Sequence, residues 1–71
     1  MKIEAGKRYM ITRDEKGTII RFTATVTSVD ERDEYFYVGY TPDDFRMGRW
    51  GYAKIKKEGR YKYFNTTLEE I

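Results

Sequence analysis

The chain has 71 residues, with 14 Lys and Arg against 12 Asp and Glu for a net charge of +2, and it contains no cysteine and no histidine. This length predicts one domain over the whole chain, residues 1–71, near the smallest size that a single core stabilises. The missing residue types exclude disulfides, thiolate nucleophiles, imidazole bases and zinc sites built from cysteine and histidine.

Aromatic residues must supply much of the core. Only 39% of the residues are hydrophobic, and one Trp, seven Tyr and four Phe are among them. A buried aromatic side chain removes roughly 150 to 250 Å² from water. Most of the rings are therefore predicted to be structural.

The sequence favours a cytoplasmic protein. No apolar run approaches the roughly 18 residues that a membrane span requires. The N-terminal stretch MKIEAGKRYM also lacks the apolar segment of a signal peptide.

The first half of the chain predicts a β-hairpin. Residues 8–13, RYMITR, are rich in strand formers, and residues 14–17 provide a four-residue turn ending in a glycine. The second strand, residues 18–29, alternates Arg and Thr with apolar residues. Its predicted inner face consists of Ile20, Phe22, Ala24 and Val26.

The four-residue turn fixes the pairing of these strands. It places Ile11 opposite Ile20 and Tyr9 opposite Phe22, so apolar residues meet on one face. The second strand is longer than usual, and we expect it to bend at Ala24 so that it serves two halves of a barrel.

A charged tip, DERDE, joins the second strand to the third. A three-residue loop at Asp30–Arg32 keeps the apolar faces of both strands together. It sets Ala24 opposite Val38 and Phe22 opposite Tyr40.

The segment TPDDF predicts the one helix, over residues 42–47. Thr41 is its expected cap, with Pro42 at the first helical position and two acids in the first turn. Phe45 is expected to anchor the helix in the core, and Gly48 to end it.

Strand character resumes over residues 49–57, RWGYAKIKK. Residues 58–59 then predict a two-residue turn that leads into a fifth strand and sets Ala53 opposite Phe64. The tail, residues 65–71, is expected to fray, although Leu68 and Ile71 are candidates to dock on the barrel.

Five strands with one short helix between the third and the fourth predict a small all-β protein with an SH3-like barrel. An OB-like barrel is the alternative. Its helix would also lie between the third and fourth strands, but it is normally longer than this segment allows.

The chain from GKRYMITRDEKGTIIRFTATV through FYVGYTPDDFRMGRWGYAKIKK resembles the YorP family of small proteins carried by bacteria and their phages. The resemblance covers nearly all of the sequence. It implies an SH3-like fold with five strands and one helix, a prophage origin and no assigned activity. The family defines no functional residues, so none are carried over.

The leading functional hypothesis is a small binding module that docks on a protein partner through a tyrosine-lined surface. Tyr35, Tyr37 and Tyr40 lie on or beside the predicted outer face of the third strand, near the acidic tip. SH3-like barrels bind peptides in grooves that aromatic residues line. The alternative interpretation is ordinary cross-strand packing of tyrosine against threonine.

A second hypothesis is single-stranded nucleic-acid binding through the C-terminal hairpin. Residues 46–63 hold seven Lys and Arg against Glu58 alone, and aromatic rings among cations stack on unpaired bases. The candidate residues are Arg49, Trp50, Tyr52, Lys54, Lys56, Arg60 and Lys62. The alternative interpretation is that the rings, with Tyr61 and Tyr63, belong to the core, while the lysines cover its edge.

Catalysis and metal binding have little support in the sequence. The acidic tip lacks the glycine and the bidentate Glu of an EF-hand loop, and the helix N-terminus accounts for Asp43 and Asp44. Ser28 is the only serine, with no histidine to activate it. We therefore expect no enzyme activity, no cofactor and no metal.

Overall fold

A computed structural model describes residues 2–57 and 65–71. Within them, five antiparallel strands form one sheet: β1 (Arg8–Glu15), β2 (Thr18–Glu31), β3 (Tyr35–Pro42), β4 (Gly51–Lys56) and β5 (Thr66–Glu70). The strands lie in the order β4-β3-β2-β1-β5, and the sheet curls into a half-barrel. The predicted fold class, a small all-β barrel of the SH3-like or OB-like kind, is confirmed.

One core fills the concave side of the sheet. Every strand contributes to it, because alternate side chains along each strand point inward. The buried hydrophobic residues are Ile3, Tyr9, Ile11, Phe22, Ala24, Val26, Val38, Tyr40, Ala53, Ile55 and Leu68.

The turn between β1 and β2 is tighter than predicted. It consists of Lys16 and Gly17, with φ angles of 51° and 90°. Positive φ at both central residues gives the turn whose twist matches that of the two strands. Asp14 supports it, since its Oδ1 accepts a hydrogen bond from the Gly17 N–H at 3.0 Å.

This shorter turn changes the pairing of β1 with β2. Ile11 lies opposite Phe22, and Tyr9 lies opposite Ala24, so the predicted partners Ile20 and Phe22 are wrong. The register moves by two residues, and side-chain direction repeats every two residues along a strand. The same residues therefore face the core as the sequence predicted.

β2 spans 14 residues because its two halves pair with different strands. Its register with β3 shifts between Val26 and Ser28, and not at Ala24 where the bend was predicted. An extra residue at such a bulge exchanges the faces of the strand. Val29 consequently packs against the core although it breaks the earlier alternation.

The pairing of β2 with β3 also differs from the prediction. Val38 lies opposite Val29 and Tyr40 opposite Val26, and not opposite Ala24 and Phe22. The tip closes further along the chain than Asp30–Arg32, because the Arg32 N–H donates a hydrogen bond to the Tyr35 carbonyl at 2.8 Å.

A single turn of 3-10 helix, Phe45–Met47, replaces the predicted helix over residues 42–47. Pro42 ends β3 and is buried, so it does not begin a helix. Asp44, and not Thr41, is the cap. Its Oδ1 accepts a hydrogen bond from the backbone N–H two residues later at 2.9 Å.

Asp43 holds the connector between β3 and β4, and Phe45 does not. The Phe45 side chain is 82% exposed, so its predicted anchoring role is wrong. The Asp43 N–H donates to the Thr23 carbonyl at 2.9 Å. Its carboxylate accepts from the Thr23 hydroxyl at 2.6 Å and pairs with Arg8. Gly48 ends the helical turn, as predicted, with a φ of 104°.

The tail forms β5 and does not fray. It pairs antiparallel with β1, which places Leu68 opposite Ile11 in the core. Ile71 is exposed and does not dock. The predicted hairpin through residues 58–64, with its pairing of Ala53 and Phe64, lies outside the described residues.

At acid pH, Asp43 should contribute less to the stability of the connector. The hydrogen bond from the Thr23 hydroxyl, and then that from Arg8, lowers the pKa of Asp43 below its ordinary value of 3.8. A group with a lowered pKa in the folded state stabilises the fold above its unfolded pKa and loses this effect as the pH falls through its folded pKa. We expect Asp43→Asn to be less stable than the natural protein at neutral pH, with the difference disappearing below about pH 3.8.

Urea unfolding followed by far-UV circular dichroism at a series of pH values measures this difference. Asp33→Asn is the matched control, because Asp33 makes no side-chain hydrogen bond or ion pair with the described residues. A stability difference for Asp43→Asn that persists unchanged into acid would contradict the assignment.

Candidate ligand-binding face

The outer face of β3 and β4 carries large side chains that the core does not use. Val38 and Ala53 point inward as neighbours in the sheet, so the residues beside them in each strand point outward. On β3 these are Tyr37 and Gly39, and on β4 they are Tyr52 and Lys54. We call this surface the β3–β4 face.

Three exposed rings lie in a row on this face, with Tyr52 in contact with the other two. The Tyr37 and Tyr52 rings lie with their centroids 5.4 Å apart and their planes within 2° of parallel. The Trp50 ring meets Tyr52 edge-on, at 5.4 Å and 71°. Tyr37, Tyr52 and Trp50 are 39%, 53% and 69% exposed. We call these three residues the aromatic row.

The parallel pair is offset. Aromatic carbons in direct contact lie roughly 3.5 to 4 Å apart, so rings whose centroids are 5.4 Å apart overlap only in part. Each of the two rings therefore keeps part of its surface uncovered, in agreement with its exposed fraction.

A glycine makes room for the middle ring. Gly39 lies between Ser28 on β2 and Tyr52 on β4 in the sheet. A Cβ atom at Gly39 would lie 2.5 Å from Ser28 Oγ and 3.1 Å from Tyr52 Cε1. A Cβ atom there would displace the Ser28 hydroxyl and require the Tyr52 ring to move by a few tenths of an ångström, so the missing side chain favours the observed position of the ring.

Cations border the aromatic row. Lys54 Nζ lies 5.4 Å from the centroid of the Tyr35 ring, within reach of a cation–π interaction. Arg49 is exposed, and neither Arg49 nor Lys54 forms an ion pair with a described residue. Lys56 is half-buried on the same strand.

The nearest acids are neutralised locally. Asp30 lies opposite Tyr37 in the sheet, and its carboxylate pairs with Arg32 at 2.7 Å. Glu31 pairs with Lys57 at 3.0 Å, and Lys57 Nζ also lies 5.3 Å from the centroid of the Phe36 ring. Among the described residues, Asp30 and Glu31 thus have cationic partners, whereas Lys54 on the β3–β4 face has no ion-pair partner.

Of the predicted site residues that the structure describes, most lie on or beside this face, and Tyr40 does not. Tyr35 and Tyr37 are on the outer side, as predicted. Tyr40 points into the core, so its predicted role as an exposed contact is wrong. Arg13 donates a hydrogen bond to its hydroxyl, and Gly51 leaves space for its ring, since a Cβ there would lie 2.6 Å from Tyr40 Cζ.

The structure joins two sets of candidates that the sequence left apart. Tyr37 was a candidate for binding a protein. Candidates for binding nucleic acid included Trp50, Tyr52, Lys54 and the half-buried Lys56. The pairing of β3 with β4 brings them onto one surface. The interpretation of Trp50 and Tyr52 as core residues is wrong, since both are exposed. Arg60 and Lys62, with Tyr61 and Tyr63, lie outside the described residues.

Other features of the described residues offer less chemistry. A cavity of about 360 Å³ between β4 and β5 adjoins the β3–β4 face, because Tyr52 and Lys54 line it together with Arg13, Glu15, Ala53, Asn65 and Thr66. In residues 2–57 and 65–71, no group of three or more acidic, histidine or cysteine side chains is arranged to hold a metal ion. No helix in this part of the chain is long and apolar enough to cross a membrane.

Comparisons with protein-family models, with curated proteins and with solved structures found no match to this chain. The resemblance to the YorP family therefore stays a prediction.

The absence of a side chain at Gly39 should be necessary for the aromatic row. We expect Gly39→Ala to displace the Tyr52 ring, to change the near-UV circular dichroism of the three rings and to destabilise the fold by about 1 to 3 kcal/mol, as overpacking typically does. Urea unfolding measures the stability change.

A double-mutant cycle with Ser28→Ala tests the cause. Ser28 Oγ is the atom nearest to the new Cβ, so Gly39→Ala should cost less stability when this hydroxyl is absent. An unchanged near-UV spectrum in Gly39→Ala would show that the glycine does not set the position of Tyr52.

Proposed function

We propose that this protein binds single-stranded nucleic acid through the β3–β4 face. The observation that carries the proposal is the exposure of Trp50 and Tyr52, which are in contact with each other, while Tyr52 also contacts Tyr37. A domain of this size has few large side chains to stabilise its core. Three adjacent rings on the outside form a patch of the kind that marks an interaction surface.

The chemistry of the face suits an unpaired strand. Exposed aromatic rings stack on bases whose faces are not covered by a complementary strand, which contributes about 1 to 3 kcal/mol per base. Arg49 and Lys54 border the rings and have no carboxylate partner among the described residues. They are thus available to phosphates, whose negative charge dominates affinity for nucleic acid.

Docking on a protein is the second candidate, and one observation favours it. Tryptophan, tyrosine and arginine are the residues that most often dominate protein interfaces, and Arg49, Trp50 and Tyr52 are all exposed. With Tyr40 in the core, a partner would contact Tyr37 on the same face. A proline-rich peptide that binds the natural protein but not Trp50→Ala, with no oligonucleotide binding, would select this candidate.

Three further elements belong to the proposal. The protein acts by binding and not as an enzyme, because nothing in the sequence supplies an activated nucleophile. The cytoplasm is proposed as its place of action. The YorP resemblance adds a prophage origin.

Binding is measured by fluorescence anisotropy with labelled single-stranded DNA and RNA of about 15 nucleotides, near the upper end of known site sizes. Two phosphate contacts, from Arg49 and Lys54, would give a salt slope of about −1.4, so affinity should fall roughly sevenfold between 50 and 200 mM salt. Trp50→Ala should weaken binding about fivefold to a hundredfold. Arg49→Glu and Lys54→Glu should each nearly abolish it.

Arg21→Glu is the matched control for Arg49→Glu. Arg21 is exposed but lies on the part of β2 that pairs with β1, and not with β3. The two variants change the net charge equally. Arg49→Glu should therefore lose more affinity than Arg21→Glu only if the strand binds at the β3–β4 face. Equal loss in both variants, or no binding of the natural protein at about 50 mM salt, would refute the proposal.

A further inference from the structure

The two most exposed rings of the aromatic row face different directions. The planes of Trp50 and Tyr52 form an angle of 71°, whereas Tyr52 and Tyr37 are parallel within 2°. A base that stacks on a ring lies parallel to it. A base on Trp50 and a base on Tyr52 or Tyr37 would therefore stand steeply inclined to each other.

Neighbouring bases inclined in this way cannot stack on one another. The centroids of Trp50 and Tyr52 are only 5.4 Å apart, so the bases that use the two rings are close neighbours in a bound strand. Binding both rings requires the strand to give up its own base stacking at that step. The free energy needed depends on how strongly the particular bases stack.

We infer that the β3–β4 face selects single strands whose bases stack weakly, that is, thymine or uracil tracts over adenine tracts. This inference rests on the proposed function and adds the class of sequence that the site prefers. No hydrogen bond to a base edge is needed, since preferences among single strands arise from stacking strength and backbone flexibility. The positive charges bordering the rings contact phosphates, so their contribution to affinity does not depend on base identity.

Elsewhere on the surface of residues 2–57 and 65–71, no such selective arrangement is found. The exposed Phe45 contacts neither Trp50 nor Tyr52 through its ring. The ion pairs of Arg8 with Asp43 and of Arg46 with Asp44 hold the connector itself. The inclined pair of Trp50 and Tyr52 is the feature that can distinguish one kind of strand from another.

The test compares the affinities of oligo(dT) and oligo(dA) of about 15 nucleotides, with oligo(U) and oligo(A) as the RNA arms, at one salt concentration. Thymine and uracil tracts should bind at least about fivefold more tightly than adenine tracts of the same sugar. Equal affinities, or tighter binding of adenine, would overturn the inference and leave the proposed function standing. Binding of none of the four strands would overturn the proposed function itself.

Two variants locate the origin of the preference. Trp50→Ala removes the inclined ring and should bring the two affinities within about twofold of each other, while Trp50→Phe keeps a ring and should retain the preference. Because Trp50 is exposed, neither change removes a core contact. A preference that survives unchanged in Trp50→Ala would arise elsewhere and would contradict the inference.

Discussion

The register shift in β2 between Val26 and Ser28 is the constraint on which the rest of the structure depends. A regular strand of 14 residues would keep the same residues inward along its whole length. The bulge exchanges the two faces halfway, so that Phe22 and Val26 face the core before it and Val29 faces the core after it. One strand thereby pairs with β1 in its first half and with β3 in its second half.

The bulge also determines what the outside of the sheet presents. It aligns Ser28 with Gly39, and Gly39 in turn with Tyr52. Because Ser28 has a small side chain and Gly39 has none, the Tyr52 ring can lie close to the sheet at this point. The core and the candidate binding face are therefore two consequences of one irregularity.

Much of the fold could be predicted from the sequence because side-chain alternation is a local signal. The inward residues of β1 and β2 were predicted correctly even though the turn between them has two residues and not four, since a shift of two leaves each face unchanged. The alternation is interrupted at Thr27 and Ser28, two polar residues between Val26 and Val29, but the break alone does not show whether the strand bulges or ends there. β5 was missed because its stability comes from pairing with β1, far away in sequence.

The candidate site was predicted in parts but not as a whole. The alternation within β3 placed Tyr37 outside, whereas aromatic residues on both faces of the next strand left open whether Tyr52 is buried or exposed. Only the pairing of the two strands brings these rings together. The sequence also could not decide whether Trp50 is buried, since it precedes the first residue of β4 and follows a helical turn of three residues. Phe45 shows the same difficulty, because an apolar side chain in a connector has no alternation to fix its direction.

The position of Trp50 determines which process the intrinsic fluorescence of the protein measures. It is the one tryptophan in the chain, and its side chain is already largely in water in the folded state. Its emission should therefore change little when the protein unfolds, and a melting curve recorded from it would show a shallow transition. The same indole would respond strongly to anything that covers the β3–β4 face, so intrinsic fluorescence follows occupancy of that face rather than folding.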